Sequence, residues 1–309
     1  MADSAFFCSL SHEGVLAVRG SDAAKFLQGQ LTCNLNYLND AHASLGARCT
    51  QKGRMQSSFR ILLEGDGVLM AMASELLEPQ LADLKKYAVF SKSKLTDESA
   101  AWARFGLANA DAALSALGLA LPVETDSVAR NEALIAVRVS PGRAELWAPA
   151  AQAQTLHSQL AAQLNEGELN QWLLGQIRAG IGQVMPQTRE LFIPQMLNLQ
   201  ALDGISFNKG CYMGQETVAR AKYRGANNRA LFVLSGTAAT QVASGDTLEI
   251  QLGDNWRRSG LVLNAWQQQG QVWLTAVLPK DTEADARFRL KLEEGSSLGL
   301  QPLPYALID

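Results

Sequence analysis

The sequence predicts an α+β protein that closes with a small β-barrel or sandwich. Three observations carry that reading. Up to about residue 228, apolar hairpin runs alternate with helical periodicities. From Arg229 onward, short apolar runs recur about every dozen residues between Gly and Asp turns, with no helical pattern. The composition, 47% hydrophobic and 18% charged over 309 residues, is that of an ordinary globular chain, long enough for about two domains.

In chain order, residues 14–18 are short, apolar and partly β-branched, and read as a strand ending at Gly20. Ser21 and Asp22 offer an N-cap for a short helix carrying Phe26, Leu27 and Gln30. Apolar runs 59–63 and 68–72 flank Gly65-Asp66-Gly67, a hairpin signal. Ser74 opens a helix with Leu76, Leu77, Leu81, Leu84 and Tyr87 on one face. Val89 and Phe90 are expected to return to strand. A second α+β module follows: strand 102–107, helix 110–117, then strands 134–139 and 144–148 around the turn Pro141-Gly142-Arg143. Helices are expected at 150–164 and 168–179, the latter with Trp172 on its apolar side. The five barrel runs are 231–234, 248–252, 261–266, 272–278 and 288–292. The expected domains are therefore 1–228, an α+β region of two intertwined modules, and 229–309, the all-β barrel.

Composition excludes several classes. Lys plus Arg is 27 against 30 for Asp plus Glu, a formal net charge of −3. A protein that coats nucleic acid with its whole surface is far more basic, so any anionic partner must meet a local patch. There is no run of about 20 apolar residues to span a membrane. The N-terminus has no basic leader region and carries Asp3, so the expected location is cytoplasmic. The four cysteines form no C-x-x-C pair and the three histidines are scattered, so no intrinsic metal site is expected. No dinucleotide fingerprint, Walker loop, G-x-S-x-G elbow or H-E-x-x-H motif occurs.

The informative segment is Phe207-Asn208-Lys209-Gly210-Cys211-Tyr212-Met213-Gly214-Gln215-Glu216, continuing through Arg220, Lys222 and Arg224 to Gly225. Two glycines bracket a Cys-Tyr pair, and glycine permits positive φ and close backbone approach. A cysteine in such a turn can be exposed in one orientation. Cations such as Lys209 and Arg220 near a thiol favour its thiolate. Cys211 is thus a reactive thiol or, alternatively, part of a structural loop. Glu216 can accept hydrogen bonds from a heterocycle or sit in a solvated first helical turn. Between 207 and 229 there are five basic residues and one acid, a net of +4, which leaves −7 for the rest of the chain.

The run Lys209-Gly210-Cys211-Tyr212-Met213-Gly214-Gln215-Glu216 resembles the K-G-C-Y-x-G-Q-E signature of the YgfZ family. These are folate-binding proteins, also called tRNA-modifying proteins, linked to iron–sulfur cluster assembly and repair. Supporting blocks span the chain: Phe26-Leu27-Gln28-Gly29-Gln30-Leu31-Thr32, Leu84-Lys85-Lys86-Tyr87-Ala88-Val89-Phe90-Ser91-Lys92, Phe192-Ile193-Pro194-Gln195, Asn198-Leu199-Gln200-Ala201-Leu202, Arg224-Gly225-Ala226-Asn227 and Pro302-Leu303-Pro304-Tyr305.

The resemblance implies an aminomethyltransferase-like folate-binding fold with a C-terminal all-β barrel. It implies tetrahydrofolate as ligand. Its implied role is support of iron–sulfur enzymes, including the one that methylthiolates tRNA. Partners would be iron–sulfur assembly proteins or iron–sulfur enzymes, with tRNA reached only indirectly. Cys211, with Lys209 beside it, is the implied reactive pair. Trp172, Tyr212, Gln215, Glu216 and Arg220 are the implied folate-site residues.

Two departures stand out. Some family members carry a folate-linked Trp near the first strand, where this chain reads Ser11-His12-Glu13-Gly14. The aminomethyltransferase has an acidic pair where this chain has Ser57-Ser58. Hydroxyls cannot replace a carboxylate base, so aminomethyl transfer is not expected. The alternatives are a folate-dependent one-carbon transferase or oxidoreductase, and a tRNA-binding adaptor.

Overall fold

The structure, a computed structural model, describes residues 4–225 and 227–307; Asp3 and Ala226 lie outside it. The chain divides into two compact units. The first comprises Met1–Gly29, Cys33–Gly46 and Phe59–Trp172, and the second Gln30–Thr32, Ala47–Ser58 and Leu173–Asp309. The boundary expected at 228 falls inside the second unit, at the first barrel strand.

The chain begins with β1 (Phe6–Ser9), β2 (Glu13–Arg19), α1 (Ala23–Gln28), β3 (Ser44–Cys49), β4 (Met55–Glu64), β5 (Gly67–Ala73), α2 (Ser74–Tyr87) and β6 (Lys94–Asp97). It continues with β7 (Trp102–Ala108), α3 (Asp111–Ala116), β8 (Val128–Arg130), β9 (Ile135–Ser140), β10 (Arg143–Pro149), α4 (Ala153–Ala161), β11 (Asn165–Glu166) and α5 (Leu169–Arg178). Two sheets result, ordered β3-β4-β5-β2-β6 and β11-β1-β7-β10-β9-β8. Successive residues of a strand face opposite ways, and β10 shows it. Trp147 joins Val15, Leu62, Leu69 and Val137 in one core. Its neighbour Leu146 joins Phe7, Leu107, Leu114 and Leu160 in another.

This unit also buries charge. Arg104 bridges Glu13 and Glu145, each at 2.8 Å, and its guanidinium lies 4.2 Å from the Trp147 ring centre. Arg60 pairs with Asp126 and stands 3.8 Å from Glu145. Such ions are tolerated in the interior only as partners of one another.

The strand expected at Val89-Phe90 is a turn. Val89 is 70% exposed and Phe90 fully exposed. The Ala88 N–H closes on the Lys85 carbonyl and the Ser91 N–H on that of Ala88, so the backbone folds too tightly to pair. The strand starts later, at Lys94, which pairs with Arg19 of β2. Tyr87 is likewise exposed, and the buried face of α2 is Leu76, Leu77, Gln80 and Leu84. Asp22 does not cap α1 with its side chain; that carboxylate accepts the Lys92 N–H instead.

The second unit holds α6 (Gln215–Tyr223) and a closed barrel of β12 (Arg229–Thr237), β13 (Thr247–Leu252), β14 (Asn255–Gln268), β15 (Gln271–Pro279), β16 (Arg287–Leu290) and β17 (Glu293–Gln301). The barrel order is β12-β15-β14-β13-β16-β17. Leu234, Leu248, Val262, Leu274, Phe288 and Leu298 fill it. The sequence indicates five of these strands. The sixth, β17, is rich in Glu, Gly and Ser and is recognised only by pairing with β12 and β16. Asn198, in left-handed backbone, bonds both the N–H and the carbonyl of Leu231 through its side chain. It thereby ties the segment before the barrel to β12.

Candidate functional site

Six of the seven residues expected at the site lie on one loop and the helix that follows it, in the second unit. The loop is seated by two glycines. Gly214, the N-cap of α6, has φ +81°, and a Cβ there would lie 2.6 Å from the Thr50 carbonyl oxygen and 2.9 Å from the Gly53 Cα. Gly53, with φ +72°, would place a Cβ 2.6 Å from that of Thr217. Only glycine at both positions lets the turn at 50–54 and the loop at 210–214 touch backbone to backbone. The turn is closed by Gly53 N–H to Thr50 carbonyl and Thr50 N–H to Arg54 carbonyl, at 2.9 and 2.8 Å. In the sequence, Gly53 gives only the weak signal of a lone glycine between Lys52 and Arg54 at a hairpin end.

Lys209 closes the other side of the loop. Its Nζ donates to the Leu31 carbonyl at 2.8 Å and lies 5.1 Å from the centre of the Tyr212 ring. The role of Lys209 in this geometry is therefore a clasp, holding the loop to residues 30–32. Tyr212 is buried beneath it, and the hydroxyl has no hydrogen-bond partner. Burial, reinforced by Cys49, pushes that hydroxyl's pKa well up.

Cys211 is the exposed member of four free cysteines, while Cys8, Cys33 and Cys49 are buried. Burial pushes the Cys8 thiol up to about 11 and the Cys49 thiol up to about 12, so neither offers a thiolate at neutral pH. Gln215 begins α6 and donates its N–H to the Tyr212 carbonyl at 3.1 Å. Glu216 and Arg220 form an exposed pair one helical turn apart, at 2.7 Å. Such a pair contributes about 0.3–0.5 kcal/mol, so a ligand could separate the two at little cost. Lys222 lies 3.8 Å from the Phe207 ring centre, with Tyr223 beside it and exposed.

Trp172 belongs to the first unit and is fully buried. Its ring lies under the Arg143 guanidinium, 3.8 Å from the ring centre, and against Gly106, where a Cβ would come within 2.6 Å of it. Arg143 also donates to the Trp172 carbonyl at 2.7 Å. No face of this indole is open for stacking as the structure stands.

Of the Ser57-Ser58 stretch, both residues are buried, and the Ser58 hydroxyl accepts the Val184 N–H at 2.9 Å. Among the described residues, no three His, Cys, Asp or Glu side chains are grouped to hold a metal ion. Among the described residues, no helix is long and apolar enough to cross a membrane.

The fold is that of the aminomethyltransferase-like class. The structure is similar to glycine cleavage system aminomethyltransferase T from Bartonella henselae, with a TM-score of 0.73, covering 98% of this chain and 86% of that one at 15% identity. Residues 227–294 match the profile described as "YgfZ, beta-barrel domain". The chain is 42% identical over 303 residues to the "tRNA-modifying protein YgfZ" of Sodalis glossinidius (strain morsitans), covering 97% of this chain and 92% of that protein. It is 42% identical over 306 residues to the protein of the same name from Yersinia pseudotuberculosis serotype O:1b (strain IP 31758), with the same coverage. The chain belongs to the YgfZ family.

Proposed function

We propose that this protein is a tetrahydrofolate-binding factor that supports iron–sulfur cluster assembly or repair, and through it iron–sulfur enzymes such as the one that methylthiolates tRNA. The observation that carries the proposal is the exposure of Cys211 alone among four thiols, on a loop fixed by Gly53, Gly214 and Lys209. A single thiol cannot hold a stable cluster by itself. The cluster is therefore cargo, and Cys211 acts on it together with ligands from a second molecule.

For tetrahydrofolate the residues fit in part. Tyr212 has an unpartnered hydroxyl, and Glu216 and Arg220 are exposed. A carboxylate suits the pterin N–H groups and a guanidinium suits an anionic glutamate tail. Trp172, covered by Arg143, fits only as the residue that positions Arg143. Tetrahydrofolate would supply one-carbon or redox chemistry. Lys209 holds the loop that presents the thiol.

The decisive experiment is complementation. In cells lacking the protein, a Cys211→Ala variant that folds normally should fail to restore the activity of iron–sulfur enzymes. Full rescue would sink the assignment. Aminomethyl transfer is not proposed, because Ser57 and Ser58 are buried hydroxyl groups and supply no carboxylate base. Ammonia release from an aminomethylated carrier protein above the uncatalysed rate would reverse that statement.

A further inference from the structure

We infer that the turn joining α2 to β6 is a docking site for an unpaired RNA loop. This goes beyond the function proposed above, in which tRNA is reached only through a partner enzyme. It rests on a different unit from the one that carries Cys211.

The ten residues 85–94 contain four lysines and no acid. Lys85 and Lys86 end α2, Lys92 and Lys94 enter β6, and all four are exposed; Lys86 meets Asp83 at 3.2 Å in a surface pair that a phosphate can displace. Between them stand Phe90, 100% exposed, and Tyr87, 46% exposed. A soluble protein gains nothing for its own stability by leaving a phenylalanine wholly in water.

The backbone beneath these rings is held firmly. Lys92 N–H donates to the Asp22 carboxylate at 2.8 Å, the hydroxyls of Ser91 and Ser93 meet at 2.9 Å, and Lys94 pairs with Arg19 of β2. Gly20, with φ +111°, would put a Cβ 2.5 Å from the Lys92 carbonyl, so only glycine lets the turn rest there. The aromatic tip is thus presented from a fixed base.

Rings on which bases stack, flanked along the chain by cations that meet phosphates, are how single-stranded nucleic acids are bound. RNA offers such unpaired, splayed bases in its loops. The exposed apolar set, Tyr87, Val89 and Phe90, is too small for the buried centre of a stable protein–protein interface, which needs roughly 800 Å² on each partner. The rest of the molecule limits the contact. With residues 85–94 and 207–229 each contributing +4, the remaining chain carries −11 of the net −3. A long polyanion is repelled by that body, whereas a short loop can reach the lysines without crossing it.

The test is fluorescence polarisation of the full-length protein against a labelled RNA stem-loop, the same strand closed as a full duplex, and vesicles rich in anionic lipid. The stem-loop should bind more tightly than the duplex. Log affinity against log salt should fall with a slope of about −3 for four lysine–phosphate contacts. Phe90→Ala should weaken stem-loop binding by about ten-fold or more, while Phe90→Tyr retains it. A Lys92→Gln, Lys94→Gln double variant should roughly halve the salt slope. Equal affinity for duplex and stem-loop, indifference to Phe90→Ala, or binding to vesicles but not to RNA would each overturn the inference.

Discussion

Two basic loops, 85–94 in the first unit and 207–214 with α6 in the second, are anchored alike and finished differently. Each rests on glycine at positive φ where a Cβ would strike backbone: Gly20 against Lys92, and Gly214 against Thr50 and Gly53. Each carries lysines and aromatic residues within a few positions of one another in sequence. In the first, the ring points into water and every lysine is exposed. In the second, at 209–212, Lys209 folds over the buried ring of Tyr212 and the Cys211 thiol reaches solvent. The lesson is that similar residue types serve opposite ends. Where a lysine finds a carbonyl, as Lys209 finds that of Leu31, it becomes structure. Where it stays on the surface, as the four lysines of the first loop do, it remains available to a partner.

The contrast can be broken most sharply at the thiols. In the native protein, Cys211 should react with a disulfide reagent at the rate of an open thiol. Cys8, Cys33 and Cys49 should react roughly a thousand-fold or more slowly, because they wait on openings that cost several kcal/mol. Labelling of Cys49 at a rate comparable to Cys211 would contradict the packing of the second loop against the turn at 50–54.

The next largest effect concerns the anchors. Gly214→Ala should lower unfolding free energy by about 3 kcal/mol, combining a left-handed backbone with a backbone clash. Gly225→Ala, at φ +61° with nothing within 4 Å of the added Cβ, should cost only about 1 kcal/mol. Denaturant midpoints measure both, and equal losses would show that the Gly53–Gly214 contact contributes nothing.

The smallest effect is a pH dependence at the base of the first loop. Arg19, which pairs in register with Lys94, also bonds both oxygens of Glu98 at 2.7 Å. That pairing holds the Glu98 carboxyl below its ordinary value of 4.5. A depressed carboxylate contributes stability that is complete above the unfolded value and is lost as the pH falls through the lower folded one. Glu98→Gln should therefore cost about 1 kcal/mol at neutral pH, with the difference from the native protein shrinking as the pH drops below about 4.5. A constant difference across acid titration would contradict the pairing.

Much of this architecture was legible because period and turn chemistry agreed. The hairpin about Gly65-Asp66-Gly67 and the one about Pro141-Gly142-Arg143 both appear as expected, as β4–β5 and β9–β10. Val89-Phe90 misled because a β-branched residue beside an aromatic reads as strand, and nothing local reveals that Ala88 and Ser91 have already closed a turn. Asp22 misled because its carboxylate serves the Lys92 N–H, 70 residues away in sequence. Strand β17 was missed because its polar, glycine-containing run gains its identity from its neighbours.

At the site, the sequence located the loop but not its seat. The contacts of Leu31, Thr50 and Gly53 with the loop join segments about 160 residues or more apart. Trp172 was placed on its helix, yet the covering by Arg143 depends on a hairpin that periodicity cannot position against it.

The five passages of the chain between its two units have a consequence for inheritance. A gene segment ending at residue 228 encodes the whole first unit and a broken second one, and no single cut encodes both whole. Such a protein cannot be assembled by joining ready-made modules or traded piecemeal by recombination. It must be passed on as one length of coding sequence, and its relatives from Sodalis and Yersinia match it over 97% of that length.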